Sequence, residues 1–494
     1  MSKKTGIIRR GRGGGRHGAP RRRVAAAGLA AVLGAGVLFH ANPFVSSAEA
    51  SSAVPPCAQQ ADDPTAPPGE PPVDRPTTVV TLQQVYECIL ANAYAGPVVD
   101  SRDMLASAFA YFTSELQRRG VDRPAAALPK LTGNSARDWK AFAATYEAVR
   151  ATLPDDAMLR QRLDAETIKG MIEYLRDNHA GWLKGQPGEG PRYTLGIMES
   201  PTGRPTADLR DATVPLYLKT VDAGSPAEQA GLKPGDILVA VNGVPLAVNG
   251  QVTAGAVEWL HPKSADTVKV TVERPSTGKT LTVEMAPAVD RPQPQPKAGV
   301  ELVADGIAKV TLPSFSPGVA RDVLDKLAGL RRTAQVRGIV FDVRGNGGGR
   351  GEEVITLISS FVHGKVTSSE CDVRGRCTPN RTDDSVPLLN LPMTVVTDGM
   401  CASACDDFVG AVKDLGVGKV VGARTAGKVS GKPLAYRLED GSTLLLPKKH
   451  HVSANGERIN DIGVAVDVEA PVTAADLSAG RDPGMDKAVA LLTT

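Results

Sequence analysis

Gly338-Ile-Val-Phe-Asp-Val-Arg-Gly-Asn-Gly-Gly-Gly-Arg-Gly351 passes from an apolar, β-branched run into a glycine-rich turn. Gly338–Val343 reads as a buried strand, and Val354, Leu357, Ile358 and Phe361 beyond the turn fall on one helical face. The same alternation recurs on both sides. Upstream, strand Ile307–Leu312 precedes the helical face Val323, Leu324, Leu327, Leu330; downstream come strand Met393–Thr397, a helix over 404–415 and strand Lys419–Gly422. Strands separated by single helices predict an α/β domain with a largely parallel sheet, here assigned to residues 299–475.

Before this domain, a proline-rich break (288–298) follows short β-like runs over 190–287: Val214–Val221, Asp236–Val241, Val268–Glu273 and Thr280–Met285. Residues 79–189 carry helical signals, clearest in Ile168, Met171, Ile172 and Leu175 at i, i+3, i+4, i+7. Residues 51–78 read as an extended tether, with eight prolines between 55 and 76. Residues 476–494 form a C-terminal tail. No fixed-period repeat is present.

The formal charge of +3 from 57 Lys+Arg and 54 Asp+Glu conceals an asymmetry. Nine bases and no acid lie in the first 23 residues; beyond residue 50 the chain holds 48 bases and 53 acids, a charge of −5. That balance argues against a nucleic-acid binder. The basic start, the 16-residue apolar run Val24–Phe39 and Ala48-Glu49-Ala50 have the order of a signal peptide over 1–50. Secretion or release into the cell envelope is the expectation, with an uncleaved membrane anchor as the alternative; Arg22-Arg23 is a poor twin-arginine match. Six cysteines in an exported chain suggest disulfides. Cys57 is paired with Cys88, while Cys371, Cys377, Cys401 and Cys405 are left unassigned among themselves. No metal and no cofactor is expected, since Cys401-x-x-x-Cys405 has neither zinc spacing nor a His cluster.

Two glycine-rich segments do not fit phosphate binding. Gly422-x-x-x-x-Gly427-Lys428 has Val429 in place of the Mg²⁺-binding hydroxyl, and Arg350 stands where a dinucleotide loop needs its third glycine. Ser403 in Cys401-Ala-Ser-Ala-Cys405 fits hydrolysis better. It sits at a strand-to-helix turn, where a hydroxyl is exposed and a helix N-terminus favours developing negative charge. Ser403-x-x-Asp406 is also a capping-box pattern. His450 and His451 lack the nucleophile context of a Ser-His triad and read as an exposed strand end or cleft lining.

Gly224-Ser-Pro-Ala-Glu-Gln-Ala-Gly-Leu-Lys-Pro-Gly-Asp-Ile-Leu-Val-Ala-Val-Asn-Gly243 resembles a PDZ domain, with a short helix, a turn, a strand and the Asn242-Gly243 hairpin. The resemblance implies a loop at Leu195-Gly196-Ile197 that takes a C-terminal carboxylate while the peptide adds a strand to the sheet. Ser403, Lys428 25 residues later, and Val343-Arg-Gly-Asn-Gly-Gly-Gly349 together resemble the C-terminal processing (tail-specific) serine proteases. Glu166–Leu175 through His179, Asp440-Gly-Ser442 and Ile462–Asp467 extend the likeness over most of residues 160–470.

That family implies a crotonase-like α/β protease core beside the PDZ domain and the N-terminal helical region. It implies Ser403 as nucleophile, Lys428 as a general base made neutral by burial, and an oxyanion hole from the N–H groups of Ala404 and of Gly348 or Gly349. Protein or peptide substrates captured by their C-termini follow, with membrane association only if the N-terminal segment is retained. Three positions depart from the pattern. Lys432 replaces a family Gln, Asp414 matches a family acid but equally reads as a surface residue, and Cys401 and Cys405 replace serines beside the nucleophile. The cysteines admit a redox-sensitive site or a disulfide to Cys371 or Cys377. A peptide-binding scaffold that has lost turnover is the alternative function.

Overall fold

The computed structural model describes residues 57–59, 75–184, 192–201, 213–291, 296–303 and 306–493. The signal-peptide expectation and most of the proline-rich tether lie outside them. Among the described residues no helix is long and apolar enough to cross a membrane.

Four helices open the chain: α1 (Val79–Asn92), α2 (Ser101–Arg118), α3 (Ser135–Arg150) and α4 (Ala157–Tyr174). Each begins on an oxygen-bearing side chain that accepts from the first-turn amides: Thr78, Asp100, Asn134 and Asp156. The face Ile168, Met171, Ile172, Leu175 is buried against α1–α3 and against Tyr436, Leu438, Leu444 and Leu446. Those last four come from the hairpin Pro433–Arg437/Thr443–Pro447, far along the chain. Both ends of that hairpin sheet are N-terminal: Ala58–Gln59 pairs with one edge and Gly181–Leu183 with the other. The bond between Cys57 and Cys88, as expected, ties the first of these to α1.

The β-rich module has strands β1 (Ile197–Pro201), β2 (Leu216–Val221), β3 (Ile237–Val241), β4 (Val268–Arg274) and β5 (Lys279–Met285), with helix α5 (Ala254–Leu260). Their order in the sheet is β5-β4-β3-β2-β1, so β1 is an edge. Asn242 and Gly243 take φ of 49° and 79°, the paired positive values that a tight hairpin requires. The apolar residues Leu216, Leu218, Leu238, Val270 and Val272 close a core separate from that of the helices.

The third body is a six-stranded sheet: β6 (Gly299–Leu302), β7 (Ile307–Thr311), β8 (Gly338–Asp342), β9 (Met393–Thr397), β10 (Gly418–Gly422) and β11 (Val468–Glu469). Only the β6–β7 pair is antiparallel. Helices α6 (Val319–Thr333), α7 (Gly351–Ser359) and α8 (Ala404–Asp414) contribute Val323, Leu327, Val354, Leu357, Ile358, Phe408, Val409 and Val412 to one core, all fully buried. Helix α9 (Pro483–Thr493) joins the cluster of Ile307, Val340, Val396 and Val421. Parallel strands covered by helices on both faces must be apolar on both, which is why β8 and β9 read as continuous hydrophobic runs. The segment expected as a tail, 476–494, is thus partly a structural helix.

Candidate active site

The C-terminal ends of β8 and β9 carry two loops that meet. After β9 the chain turns through Asp398–Ala402 and enters α8 with Ser403 at φ 60°, ψ −121°, a conformation that side-chain-bearing residues rarely take. Ser403 N–H donates to Lys428 O at 2.9 Å and to Asp406 Oδ2 at 2.9 Å. Asp406 is fully buried, and its carboxylate also accepts from Gly427 N–H and Lys428 N–H, both at 2.9 Å. Burial pushes this carboxyl up, and the Thr425 hydroxyl and the three amides hold it down. The capping-box partner of Ser403 therefore does more than cap: it clamps the serine turn to the loop that carries Lys428.

After β8, Asn346 is fully buried and joins three segments. Its Nδ2 donates to Leu312 O at 2.8 Å, its Oδ1 accepts from Gly348 N–H at 2.8 Å, and its carbonyl accepts from Ala402 N–H at 3.0 Å. Gly348, at φ 105°, lies so close to the serine turn that a Cβ there would stand 2.6 Å from Ser403 Cβ. Because Gly348 N–H is engaged by Asn346, it is Gly349 and Ala404 whose N–H groups donate to no described residue. Arg344 braces this loop on Asp342 and Asp482. Burial opposes its charge, but the two carboxylates outweigh burial and hold its pKa above the ordinary arginine value.

The expected burial of Lys428 is not found: its side chain is exposed. The apolar strand β10 ends at Gly422, and the loop that follows brings the Lys428 backbone into the site while its side chain stays in solvent. His179 was overlooked, although the family likeness runs up to it. Its Nε2 lies 3.4 Å from Ser403 Oγ, across a sequence separation of 224. Asn178 Oδ1 lies 2.7 Å from His179 Nδ1. A carbonyl oxygen can only accept, so this contact assigns the proton to Nδ1 and leaves Nε2 free to accept from the serine hydroxyl. Burial lowers the His179 pKa, and the charge of Asp177 opposes that shift. The turn is held by Asp177, which accepts from His179 N–H at 2.9 Å and from Ser430 Oγ at 2.9 Å, and by the Asn178–Asn460 bond at 3.0 Å.

Other expected residues fall elsewhere. Asp414 ends α8, about 16 Å along the helix from Ser403, where it accepts from Asn455 N–H. Lys432 is exposed before strand Pro433–Arg437. His451 is buried rather than at an exposed edge, with Nε2 3.7 Å from Asp407 Oδ1, and His450 packs on Tyr94. Cys401 and Cys405 bond to each other, and Cys371 bonds to Cys377, so no disulfide links the serine turn to the Cys371 hairpin. In the β-rich module, Leu195 is buried with its carbonyl engaged by Ala227 N–H, and Gly196 N–H donates to Thr194 Oγ1. Ile197 starts the edge strand β1. Lys219 on β2 pairs with Asp398, whose Oδ1 accepts from both Gly345 N–H and Met400 N–H at 3.0 Å.

Residues 306–470 match the model of peptidase family S41, and residues 217–274 match that of the PDZ domain. Through these segments the chain is similar to proteins named carboxy-terminal processing proteases. It is 25% identical over 303 residues to carboxy-terminal processing protease CtpA of Bacillus subtilis (strain 168), covering 61% of this chain and 63% of that protein. Carboxy-terminal processing protease CtpB of the same organism is 26% identical over 305 residues, covering 62% of each chain. The matches thus span under two thirds of either relative. Among solved structures, mature CPAF superposes with a TM-score of 0.52 at 14% identity, over 83% of this chain and 96% of that one. That likeness shows a shared fold. An S41 peptidase domain and a PDZ domain thus sit beside a helical N-terminal region.

Proposed function

We propose that the protein is an exported serine endopeptidase of the C-terminal processing type, built on a crotonase-like core, with Ser403 as its nucleophile. The observation that carries this reading is the conformation of Ser403: a half-exposed hydroxyl on a strand-to-helix turn, 3.4 Å from an imidazole nitrogen and beside free amides. Ser403 Oγ attacks the scissile carbonyl carbon and loses its proton. The resulting oxyanion is held by Ala404 N–H and Gly349 N–H, with the α8 N-terminus adding favourable charge. The protonated base then gives its proton to the leaving amine, and water hydrolyses the acyl-enzyme.

Two groups compete for the role of base. The family likeness implies Lys428, whose exposed amine would have to be desolvated by bound substrate. The 3.4 Å contact and the tautomer set by Asn178 favour His179. The edge strand β1, which continues the segment Leu195-Gly196-Ile197, supports capture of a substrate C-terminus by strand addition. The test is hydrolysis of an unstructured polypeptide by wild type and Ser403→Ala, alongside labelling by a fluorophosphonate. Loss of both in the variant is expected. Equal cleavage by Ser403→Ala would remove the reading, and peptide binding without labelling of wild type would instead favour the non-hydrolysing scaffold.

A further inference from the structure

Ser403 is the central residue of a five-residue covalent ring. Cys401 and Cys405 are bonded with their Cα atoms 5.2 Å apart, and both are fully buried. The ring encloses the one residue of the loop at positive φ, Ser403 at 60°. Hydrogen bonds approach it from two sides. Ala402 N–H donates to Asn346 O at 3.0 Å, and Cys401 O accepts from Ala426 N–H at 2.9 Å. These bonds fix the ring to the glycine loop and the Lys428 loop, but each is a single non-covalent contact that can open and be exchanged for another when the loops move. The cross-link cannot be exchanged in that way. It fixes the separation of residues 401 and 405 and so restricts the backbone angles available to the three residues between them.

We infer that Cys401 and Cys405 are positioning residues whose disulfide holds Ser403 in its reactive backbone conformation, so that the serine becomes competent only after the two thiols are oxidised. The inference rests on the reading of Ser403 as nucleophile. Oxidation proceeds by exchange with a disulfide-bearing oxidant, a protein or a small-molecule disulfide. Two S–H bonds break, one S–S bond forms within the loop, and the oxidant's S–S bond is reduced to two thiols, accepting two electrons and two protons. Both sulfurs are inaccessible in the folded protein, so the exchange belongs to folding. The bond is therefore a condition met once on leaving a reducing compartment rather than a gate set by ambient thiols. The Cys371–Cys377 bond is the internal contrast, because Cys377 is exposed.

The experiment compares wild type, Cys401→Ala/Cys405→Ala, Cys371→Ala/Cys377→Ala and Ser403→Ala for kcat, KM and fluorophosphonate labelling, each normalised to folded protein by near-ultraviolet circular dichroism. In Cys401→Ala/Cys405→Ala, kcat and labelling fall on the order of 10²-fold with KM changed less than about threefold, as for a misplaced reacting atom. Cys371→Ala/Cys377→Ala keeps wild-type values. Wild-type labelling and turnover in Cys401→Ala/Cys405→Ala overturn the inference while leaving Ser403 as nucleophile. Undiminished cleavage by Ser403→Ala removes the nucleophile reading instead. If the double variant does not fold, wild type reduced in denaturant is refolded with and without oxidised glutathione. Labelling per folded molecule is then regained only with the oxidant, and equal recovery without it also overturns the inference.

Discussion

The amide of Ser403 donates to the carbonyl of Lys428 at 2.9 Å, and the carboxylate of Asp406 receives the amides of both residues. The serine turn and the lysine loop are thus one hydrogen-bonded unit. Lys428 is fixed to the site through its backbone even though its side chain is exposed.

Asp406→Ala leaves the Gly427 and Lys428 amides without an acceptor in a buried setting, and the Ser403 amide with Lys428 O alone. We expect a loss of about 1–3 kcal/mol of stability for the unmet groups and a fall in kcat on the order of 10²-fold as Ser403 shifts. Chemical denaturation and fluorophosphonate labelling measure the two effects. A fully active Asp406→Ala would show that the clamp is dispensable.

Gly348→Ala puts a methyl 2.6 Å from Ser403 Cβ and 2.7 Å from Ala402 O, on a backbone at φ 105°. Either the glycine loop or the serine turn must move, and with it the Gly349 and Ala404 amides. A drop of roughly 10²–10³ in kcat is expected, the cost of losing an oxyanion donor, while the helical region keeps its stability. Steady-state kinetics with near-normal KM would bear this out; unchanged kcat would not.

The base is separable by pH. Burial depresses the His179 pKa below its ordinary value near 6.5, so with His179 as base activity is retained above pH 6.5 and lost on acidification through the depressed pKa. The same shift makes the folded state less stable as pH falls below 6.5, because the unfolded chain then binds the proton more readily. His179→Gln should remove the acid limb and cost about 10²–10⁴ in kcat, with Lys428→Met losing the smaller factor. The reverse pattern would assign the proton to Lys428.

In the helical region, Asp164 is fully buried, accepts the Tyr146 hydroxyl, and meets Arg150 Nη2 at 3.2 Å. Burial raises its pKa to about 6 against the opposing charge of Arg150. A raised carboxyl stabilises the fold below its unfolded pKa near 4, and that contribution is lost as pH rises through about 6. Unfolding followed between pH 4 and 7 should show a loss of about 3 kcal/mol from this group. Asp164→Asn should flatten that slope, and an unchanged slope would place the titration elsewhere.

The elements came from local patterns. Apolar runs gave β8 and β9 to within a residue, helical spacing gave the buried faces of α6 and α7, and Asn242-Gly243 gave its hairpin, because strand, helix and turn preferences act over a few residues. Ser403 was legible for the same reason: a hydroxyl at a strand-to-helix turn beside a glycine-rich strand end is a local pattern. His179 was not, since nothing near it in the chain signals a partner 224 residues away. Burial of Lys428 was inferred from the apolar strand before it, but a loop of several residues suffices to carry a side chain from core to solvent.

The sequence by itself determined the three bodies, their order and the candidate nucleophile, since each is written in periodicity, turn chemistry and short motifs. The tertiary structure alone decided which nitrogen faces Ser403, which amides remain for an oxyanion, and that the cysteines flanking the serine close on each other. Those are properties of distance and direction, set where loops from β8, β9 and β10 converge with the turn after α4, and no segment carries them alone.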